Sequence, residues 1–297
     1  MKLLFTGASG FVGKNVVPSL KAIYQLSTLG NSQKNDYIFD ISKETPVFHE
    51  TFDLVVHAAG KAHSTPNSED EKEEFFNVNL QGTKNLCKAL EISGIPKSFI
   101  FISTVAVYGL ESGDNISEDA PLNGNTPYAL SKIAAEKFLK EWSEENKVKL
   151  SILRPSLIAG KDAPGNLGAM VNGLKSGRYL SIKDVHARKS VLMVDDISYL
   201  VERLTNKSGI YNICDDTHPT FKQLETVIAA QLGKKAPVAV PLLLIKILAK
   251  IGDVAGDRFP INSLKLKKMI SNLTFSNEKA KKELQWSPTN VLEKYKI

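Results

Sequence analysis

Residues 1–13, MKLLFTGASGFVG, decide the fold. A short apolar run at residues 2–5 leads into three glycines, Gly7, Gly10 and Gly13, and a helical pattern of apolar residues follows. A chain that passes directly from a buried strand into a helix needs glycine where its backbone approaches another group closely. The stretch therefore predicts a strand, a glycine turn and a helix, the opening unit of a doubly wound sheet.

The same alternation of strands and helices continues to about residue 155. Strands are predicted at residues 24–29, 37–39, 53–57, 98–103 and 149–153, with helices at 12–23, 72–93 and 129–142. These strands are continuously apolar, as expected of parallel strands that helices cover on both faces. The pattern predicts the α/β class, with a Rossmann-type doubly wound parallel sheet.

A smaller, mixed α/β C-terminal domain is predicted from the remainder. Its shorter elements are strands at 191–194 and 211–214 and helices at 221–232, 242–251 and 277–284. We assign residues 1–155, with about 189–214, to the sheet domain, and residues 156–188 and 215–297 to a cap domain.

Composition excludes several protein classes. The 297 residues are 42% hydrophobic and 24% charged, which is ordinary for a globular protein and unlike a disordered or fibrous chain. The net charge of +6 suits an anionic partner, although a lysine-rich surface without a partner would give the same value. We expect no nucleic-acid partner, because no basic cluster is interleaved with aromatic residues.

The chain shows no export signal and no membrane span. Its longest apolar stretch, residues 238–251, is shorter than the roughly 20 residues of a span, and Pro241, Lys246 and Lys250 interrupt it. We expect a cytoplasmic protein without a membrane partner, in which this stretch forms a docked amphipathic helix. The histidines and cysteines show no metal-ligand spacing, so no metal site is expected.

The glycine turn has the form GxxGxxG and predicts a pyrophosphate site. Backbone N–H groups and the positive end of the following helix favour a bound phosphate; a tight turn without a ligand is the alternative. The end of the second strand, LSTLGNS at 26–32, offers neither an acidic residue nor an arginine, so NAD and NADP both remain open. Asp40 is placed either beside adenine or as a helix N-cap.

Tyr128 and Lys132 form a second candidate site. They are four residues apart and share one face of a predicted helix. A nearby ammonium, together with a positively charged nicotinamide, would lower the pKa of the phenol and suit it to proton transfer. The hydroxyls of Ser103 and Thr104, at the end of the fifth strand, are placed to bridge to a substrate oxygen.

Taken together, these segments resemble the extended short-chain dehydrogenases/reductases, in the NAD-dependent epimerase/dehydratase branch. The segments that carry the resemblance are TGASGFVG at 6–13, HAAG at 57–60, STVAVYG at 103–109, YALSK at 128–132 and LRPSLIAG at 153–160. The resemblance implies a Rossmann domain that binds NAD or NADP, a smaller domain that binds a nucleotide-diphosphate sugar, and hydride transfer at a sugar carbon.

The resemblance assigns site residues by position. It places at the cofactor Gly7, Gly10, Phe11, Val12, Gly13, Asp40, Ile41, Ala58, Ala59, Gly60, Ser103, Tyr128 and Lys132. Its catalytic set is Thr104, Tyr128 and Lys132, and its substrate contacts are Thr104, Asn166 and Arg188. A helix N-cap is the alternative for Asn166, and a solvated loop position is the alternative for Arg188.

Other polar residues are interpreted as structural. We expect His57 to be a packing residue at a strand end and Asn79 to be a polar anchor within a helix. Asp195 and Asp196 are expected to form a helix cap and an interdomain bond. The acidic stretch 62–74 is interpreted as a loop over the substrate.

The choice of reaction rests on the two residues after Thr104. Relatives that dehydrate sugars carry an Asp-Glu pair there, whereas this chain has Val105 and Ala106, so 4,6-dehydration is not expected. The sequence favours reduction of a 4-keto group on a UDP-linked 6-deoxyhexose. The alternatives are a UDP-hexose 4-epimerase and a non-catalytic dinucleotide-sensing scaffold. A homodimer through helices 75–93 and 129–142 is a further expectation, and burial of the same faces within one chain is its alternative.

Overall fold

The computed structural model describes residues 1–62, 66, 68–255 and 261–297. Its strands, in chain order, are β1 (Lys2–Thr6), β2 (Gln25–Gly30), β3 (Tyr37–Ile38), β4 (Leu54–His57), β5 (Ser98–Ile102), β6 (Gly113–Ile116), β7 (Lys149–Pro155), β8 (Leu157–Ala159), β9 (Ser181–Ile182), β10 (Val191–Met193), β11 (Gly209–Ile213), β12 (Ala239–Val240) and β13 (Leu273–Phe275). Its α-helices are α1 (Phe11–Lys21), α2 (Glu69–Phe76), α3 (Gly82–Ser93), α4 (Pro127–Glu145), α5 (Gly165–Ser176), α6 (Asp196–Leu204), α7 (Phe221–Gln231), α8 (Leu242–Ala255), α9 (Ser263–Ile270), α10 (Glu278–Leu284) and α11 (Val291–Lys294).

The predicted doubly wound sheet is confirmed. Its strand order is β3-β2-β1-β4-β5-β7-β11, and every neighbouring pair is parallel. The chain winds outward from β1 in one direction and then, starting with β4, in the other. A crevice therefore opens beyond the carboxyl ends of β1 and β4, where ligands bind in sheets of this kind.

Helices cover both faces of the sheet, which explains why the strands are continuously apolar. On one face the core combines β1, β4, β5 and β7 residues with α1, α6 and α10. On the other face α3 and α4 pack through residues such as Leu86, Leu90, Ala135 and Leu139. The burial of Ala135 and Leu139 in this core agrees with packing within one chain, and the homodimer stays a prediction.

The helix expected at residues 72–93 has three parts. Ser68 caps α2 by accepting the Glu71 N–H, a π-turn follows at Asn77–Gln81, and α3 continues from Gly82. The loop interpretation of 62–74 is wrong from Glu69 onward, because Ser68 starts a helix there. Residues 63–65 and 67 of that stretch lie outside the described residues.

The second half was predicted less completely than the first. β10 pairs with β8 in a separate two-stranded ladder, while α6 and β11 join the large sheet layer. Ala280 and Leu284 of α10 also pack on that layer, although the sequence placed them in the cap. The domain boundaries therefore stay a prediction. Within the described residues, no helix combines the length and the apolar character needed to cross a membrane.

Candidate active site

The three glycines of the opening turn have different surroundings. Gly7 has a φ of +79°, and a Cβ atom there would lie 2.7 Å from the Ala59 nitrogen. A Cβ on Gly13 would lie 2.4 Å from Cα of Ala8. A Cβ on Gly10 would meet only the Gly7 carbonyl oxygen, at 3.2 Å. Gly7 and Gly13 are therefore required by packing, whereas Gly10 leaves open space beside the turn.

That space lies against the N-terminus of α1. Gly10 is the N-cap of this helix and provides no side-chain cap. Among the described residues, the N–H groups of Phe11 and Val12 make no backbone hydrogen bond. Free N–H groups at a helix start attract an anion. The turn therefore fits a pyrophosphate, as the sequence predicted.

The residues after β4 lie beside the same turn. The Ala59 N–H donates to Thr6 Oγ1 at 3.1 Å, which holds Ala58 and Ala59 against the glycine turn. Gly60 follows them at the surface, and a Cβ there would lie 2.9 Å from Asn79 Oδ1. The structure thus brings these three predicted cofactor contacts to the same crevice as Gly10.

Asp40 and Ile41 lie beyond the end of β3. The Asp40 carboxylate accepts hydrogen bonds from the N–H and the hydroxyl of Ser42, and the hydroxyl bond, opposed by partial burial, is the main reason its pKa is lowered. Ile41 is buried against Gly82. Asp40 therefore caps a turn and is not a helix N-cap, since no described helix begins there, and its contact with adenine stays a prediction.

The start of α4 positions Tyr128. Thr126 is the N-cap and accepts the Ala129 N–H, so Tyr128 falls in the first turn. The Tyr128 phenol lies beside the side chain of Thr104, whose hydrogen-bonding influence opposes the rise that burial imposes on the pKa of the phenol. Thr104 Oγ1 also accepts the Ala106 N–H at 3.1 Å, which fixes the orientation of the hydroxyl. The structure therefore holds a phenol and a threonine hydroxyl together at the carboxyl end of β5.

Lys132 lies one turn further along α4 and is 4% exposed. Its Nζ donates to the Ile102 carbonyl oxygen at 2.7 Å and lies 4.0 Å from the centre of the Phe101 ring. Burial lowers the pKa of Lys132 to about 7, although the charge of Glu136 opposes the shift. The charged form of Lys132 is therefore disfavoured relative to that of a solvent-exposed lysine.

Lys132 was expected to lower the pKa of the Tyr128 phenol, and the structure does not show this effect. Burial raises the pKa of the Tyr128 phenol above its ordinary value, and the side chain of Thr104 opposes this shift. Lys132 does not lower it here, because its Nζ is held by Ile102 and its own charge is disfavoured by burial. A lowered phenol pKa would therefore depend on the positive charge of a bound nicotinamide.

A buried polar network beneath this pair was missed by the sequence analysis. Ser103 Oγ donates to Glu136 Oε1 at 2.5 Å, and Arg154 donates to both Glu136 oxygens at 3.1 and 2.6 Å. Arg154 also donates to the Tyr108 hydroxyl at 2.9 Å. The Ser103 hydroxyl is thus directed at Glu136 and supports the site from below, while its assignment as a cofactor contact stays a prediction. Glu136, four residues after Lys132, was the available signal.

Ser156 is a second residue that the sequence analysis missed. It follows β7 at the carboxyl edge of the sheet, and its buried hydroxyl has no hydrogen-bond partner among the described residues. Buried polar atoms in proteins normally have partners. The orphaned hydroxyl, together with the open space at Gly10, fits a cleft that holds a polar cofactor.

Residues 3–214 match the family model of the NAD dependent epimerase/dehydratase family. The chain belongs to this family. It is similar to an N-acetyl-α-D-glucosaminyl-diphospho-ditrans,octacis-undecaprenol 4-epimerase of Escherichia coli O157:H7, with 29% identity over 93% of this chain and 88% of the relative. It is also similar to the GDP-6-deoxy-D-mannose reductase of Pseudomonas aeruginosa, with 28% identity over 77% and 79%.

A solved structure shares the whole architecture. The RMD protein of Pseudomonas aeruginosa, complexed with NADPH, superposes with a TM-score of 0.75 and 22% identity, covering 99% of this chain and 96% of that one. As a member of the epimerase/dehydratase family, this chain is an NAD(P)-dependent enzyme.

The two predicted substrate contacts, Asn166 and Arg188, are both exposed. Pro164 is the N-cap of α5, so the N-cap interpretation of Asn166 is wrong; Asn166 is the second helical residue and is exposed. Arg188 is exposed and lines a groove of about 580 Å³ with residues such as Thr220 and Gln223. No contact among the described residues joins either side chain to Tyr128.

The residues interpreted as structural behave largely as expected. His57 is fully buried between the hydroxyls of Thr6 and Thr83, and burial lowers its pKa to about 3. Asn79 binds Lys61 and Ser131. The Asp196 carboxylate accepts the N–H and hydroxyl of Thr289, which fastens the C-terminal segment. Asp195 lies at the N-cap of α6 without a side-chain cap bond, so that part of the expectation is wrong.

Proposed function

We propose that this protein is a 4-epimerase of a sugar carried on a diphosphate, with a UDP-linked hexose as the first candidate substrate. The observation that carries the proposal is the placement of the Tyr128 phenol beside Thr104 at the carboxyl end of the sheet, where Gly10 leaves open space. The 4-epimerase relative supports it, since it aligns with 93% of this chain.

The proposed mechanism assigns one task to each side chain. NAD(P), when bound along the glycine turn, supplies the hydride acceptor and donor. Tyr128 takes the proton from the sugar C4 hydroxyl and later returns it. Thr104 holds that oxygen in line with the phenol, and Lys132 supplies positive charge beneath the site. Phe11 and Val12 bind the cofactor pyrophosphate through their N–H groups.

The surroundings of Thr104 argue against dehydration. Val105 and Ala106, the two residues that follow it, belong to a 3₁₀ turn and carry no acidic or basic group. Elimination of water from a sugar needs an additional acid and base near C5 and C6. Proton transfer by Tyr128 alone is sufficient for chemistry at C4.

Reduction of a 4-keto sugar is the second candidate reaction. The sequence favoured it, and the GDP-6-deoxy-D-mannose reductase relative supports it. Both reactions use the same proton donor, so the difference lies in whether the cofactor leaves after one hydride transfer. NAD and NADP also stay alternatives for the cofactor.

Asn166 and Arg188 are proposed to bind the substrate diphosphate. An arginine can hold two phosphate oxygens at once, and the N-terminus of α5 adds free N–H groups. Recognition of the diphosphate does not determine which carrier is attached to its other end. A polyprenyl diphosphate sugar is therefore a second candidate carrier, which is favoured by the exposed apolar side of α8 and by the lipid-linked substrate in the name of the E. coli relative.

Product analysis tests the proposal. The purified enzyme is incubated with NAD and UDP-glucose or UDP-N-acetylglucosamine, and the sugar product is followed by NMR. The expected result is a 4-epimer without net accumulation of NADH. Oxidation of added NADPH by a UDP-4-keto-6-deoxy sugar, without epimerisation, would instead establish the reductase. Absence of both activities, and of epimerisation of N-acetylglucosamine linked to a polyprenyl diphosphate, with a folded protein that binds NADH, would refute the proposed function.

A further inference from the structure

One side of α8 is apolar and uncovered. The helix packs on its neighbours through Ile245 and Ala249, which are 3% and 1% exposed. Its other apolar side chains remain largely in solvent, with exposed fractions of 70% for Leu243, 51% for Leu244, 51% for Ile247, 50% for Ile251 and 90% for Val254. Isolated exposed leucines are ordinary on a protein surface, but a run of five on one helix is not.

These five side chains form a single face. Leu243, Ile247 and Ile251 recur every four residues, and Val254 and Leu244 lie beside them at 100° per residue. Ile245 and Ala249 lie on the opposite side. We call this stripe the outer face of α8. Val238, 72% exposed, and Leu180, 50% exposed, lie next to the paired strands β12 and β9 of the same small unit.

The net charge of the protein is concentrated around this face. Residues 234–255 and 261–268, which the structure describes, contain seven lysines and one aspartate, a balance equal to the full +6 of the chain, while the rest carries thirty-one charges of each sign. Lys246 and Lys250 are exposed along one edge of the outer face. An apolar stripe bordered by lysines is typical of helices that lie in a membrane interface.

The positive charge also indicates which partner can bind the outer face of α8. A second copy of this chain, related by a twofold axis, would bring two strongly basic segments together. A bilayer that contains anionic lipids has the opposite charge and accepts the apolar side chains at the same time.

We propose that the outer face of α8 docks on an anionic membrane surface, with the helix parallel to the bilayer plane. The sequence analysis expected no membrane partner because no stretch can span a bilayer. A helix that lies in the interface needs no span, since its polar side stays with the protein and water. This proposal does not rest on the proposed function, because its evidence lies outside the Tyr128 crevice.

Vesicle sedimentation with the full-length protein tests the docking. The probe is a vesicle of equal parts phosphatidylcholine and phosphatidylglycerol, with a pure phosphatidylcholine vesicle for comparison. We expect binding to the anionic vesicle that weakens as salt is raised. The triple variant Leu243→Gln, Ile247→Gln, Ile251→Gln should bind at least about tenfold more weakly. Ile92→Gln, which alters an equally exposed residue on α3, is the matched control and should bind as the wild type does.

A variant that lacks two lysines separates the electrostatic part of membrane binding from the apolar part. Lys246→Gln with Lys250→Gln should lower affinity for the anionic vesicle by roughly tenfold and leave binding to the neutral vesicle unchanged. We choose these lysines because Lys267 and Lys268 already lie near Glu111.

Three results would overturn the proposal. The first is that the wild type sediments with neither vesicle, and the second is that the triple variant binds the anionic vesicle as well as the wild type does. The third result is a wild-type dimer in light scattering that the triple variant converts to a monomer, which would assign the face to a second copy. Circular dichroism checks that the variants remain folded.

Discussion

Arg154 on β7 and Glu136 on α4 form an ion pair at 2.6 Å, with side chains that are 2% and 1% exposed. Glu136 also accepts the Ser103 hydroxyl at the end of β5. The carboxylate therefore joins the helix that carries Tyr128 and Lys132 to two strands of the sheet. Although burial alone lowers the pKa of Arg154, the hydrogen bonds and charge of Glu136 raise it above its ordinary value. The Arg154 guanidinium therefore stays charged.

Glu136→Gln should destabilise the protein and misplace the helix. The substitution leaves the Arg154 charge buried without its counterion, so we expect the free energy of unfolding to fall by roughly 3 kcal/mol or more. Urea denaturation measures this loss. A shifted Lys132 should also lower kcat at temperatures where the variant remains folded.

A double variant serves as the control for Glu136→Gln. Glu136→Met with Arg154→Met removes both charges and should recover most of the lost stability. If the single variant is as stable as the wild type, the ion pair does not hold α4 in place.

The first half of the chain was predictable because its signals are local. Glycine spacing fixes the turn around Gly10, and continuous apolar runs fix the parallel strands. The Glu136–Arg154 network could not be found this way, because its members lie 18 residues apart on different elements and meet only through the sheet order. The direction of the Ser103 hydroxyl could not be found this way either, since it depends on Glu136.

The outer face of α8 shows a second limit of sequence patterns. Its apolar periodicity correctly predicted a helix, and Ile245 and Ala249 correctly predicted a packed side. A helix that is apolar on two sides gives the same hydrophobic run whether one side or both are covered. Only the packing of β9, β12 and α9 around α8 shows which side chains remain exposed.

Gly10→Ala and Gly13→Ala should separate cofactor binding from folding. A Cβ on Gly10 meets only one backbone oxygen, at 3.2 Å, so the variant should fold and have NADH affinity lowered by at least about tenfold. A Cβ on Gly13 meets backbone atoms at 2.4 Å and should destabilise the protein outright. Fluorescence titration with NADH and thermal denaturation give the two measurements. Normal NADH binding by a folded Gly10→Ala protein would place the cofactor elsewhere.

Tyr128→Phe should abolish proton transfer without affecting the cofactor. We expect kcat to fall by roughly 10²–10⁴-fold, because the phenylalanine ring cannot take or return a proton. NADH titration should give the wild-type affinity, which distinguishes this loss from that of Gly10→Ala. Turnover close to the wild-type rate would remove Tyr128 from the mechanism.

Thr104→Val should move the pH profile to higher pH. The Thr104 side chain opposes the rise that burial imposes on the Tyr128 pKa. Removal of its hydroxyl therefore raises that pKa, and the limb of kcat/KM that requires the phenolate should shift to higher pH. Thr104→Ser keeps the hydroxyl and should keep the wild-type profile. An unchanged limb in Thr104→Val would show that another group sets the profile.

Lys132→Met should inactivate the enzyme and make it more stable at neutral pH. The folded protein holds Lys132 with a pKa of about 7, whereas the unfolded chain holds it near 10.4. Below pH 7 both states are protonated, and the full cost of the buried charge is present. Between pH 7 and about 10 the folded state binds fewer protons than the unfolded state, so wild-type stability rises with pH.

Methionine at position 132 removes this pH dependence. Each pKa unit corresponds to about 1.4 kcal/mol, and the lost hydrogen bond to Ile102 costs about 1 kcal/mol, so we expect a net gain of roughly 3 kcal/mol at pH 7 that disappears towards pH 10. Urea denaturation from pH 6 to 10 measures the difference. Lys137→Met, at an exposed position of the same helix, is the control and should leave stability unchanged. A Lys132→Met protein that is less stable than the wild type at pH 7 would mean that the buried ammonium supports the fold through Ile102 and Phe101 rather than straining it.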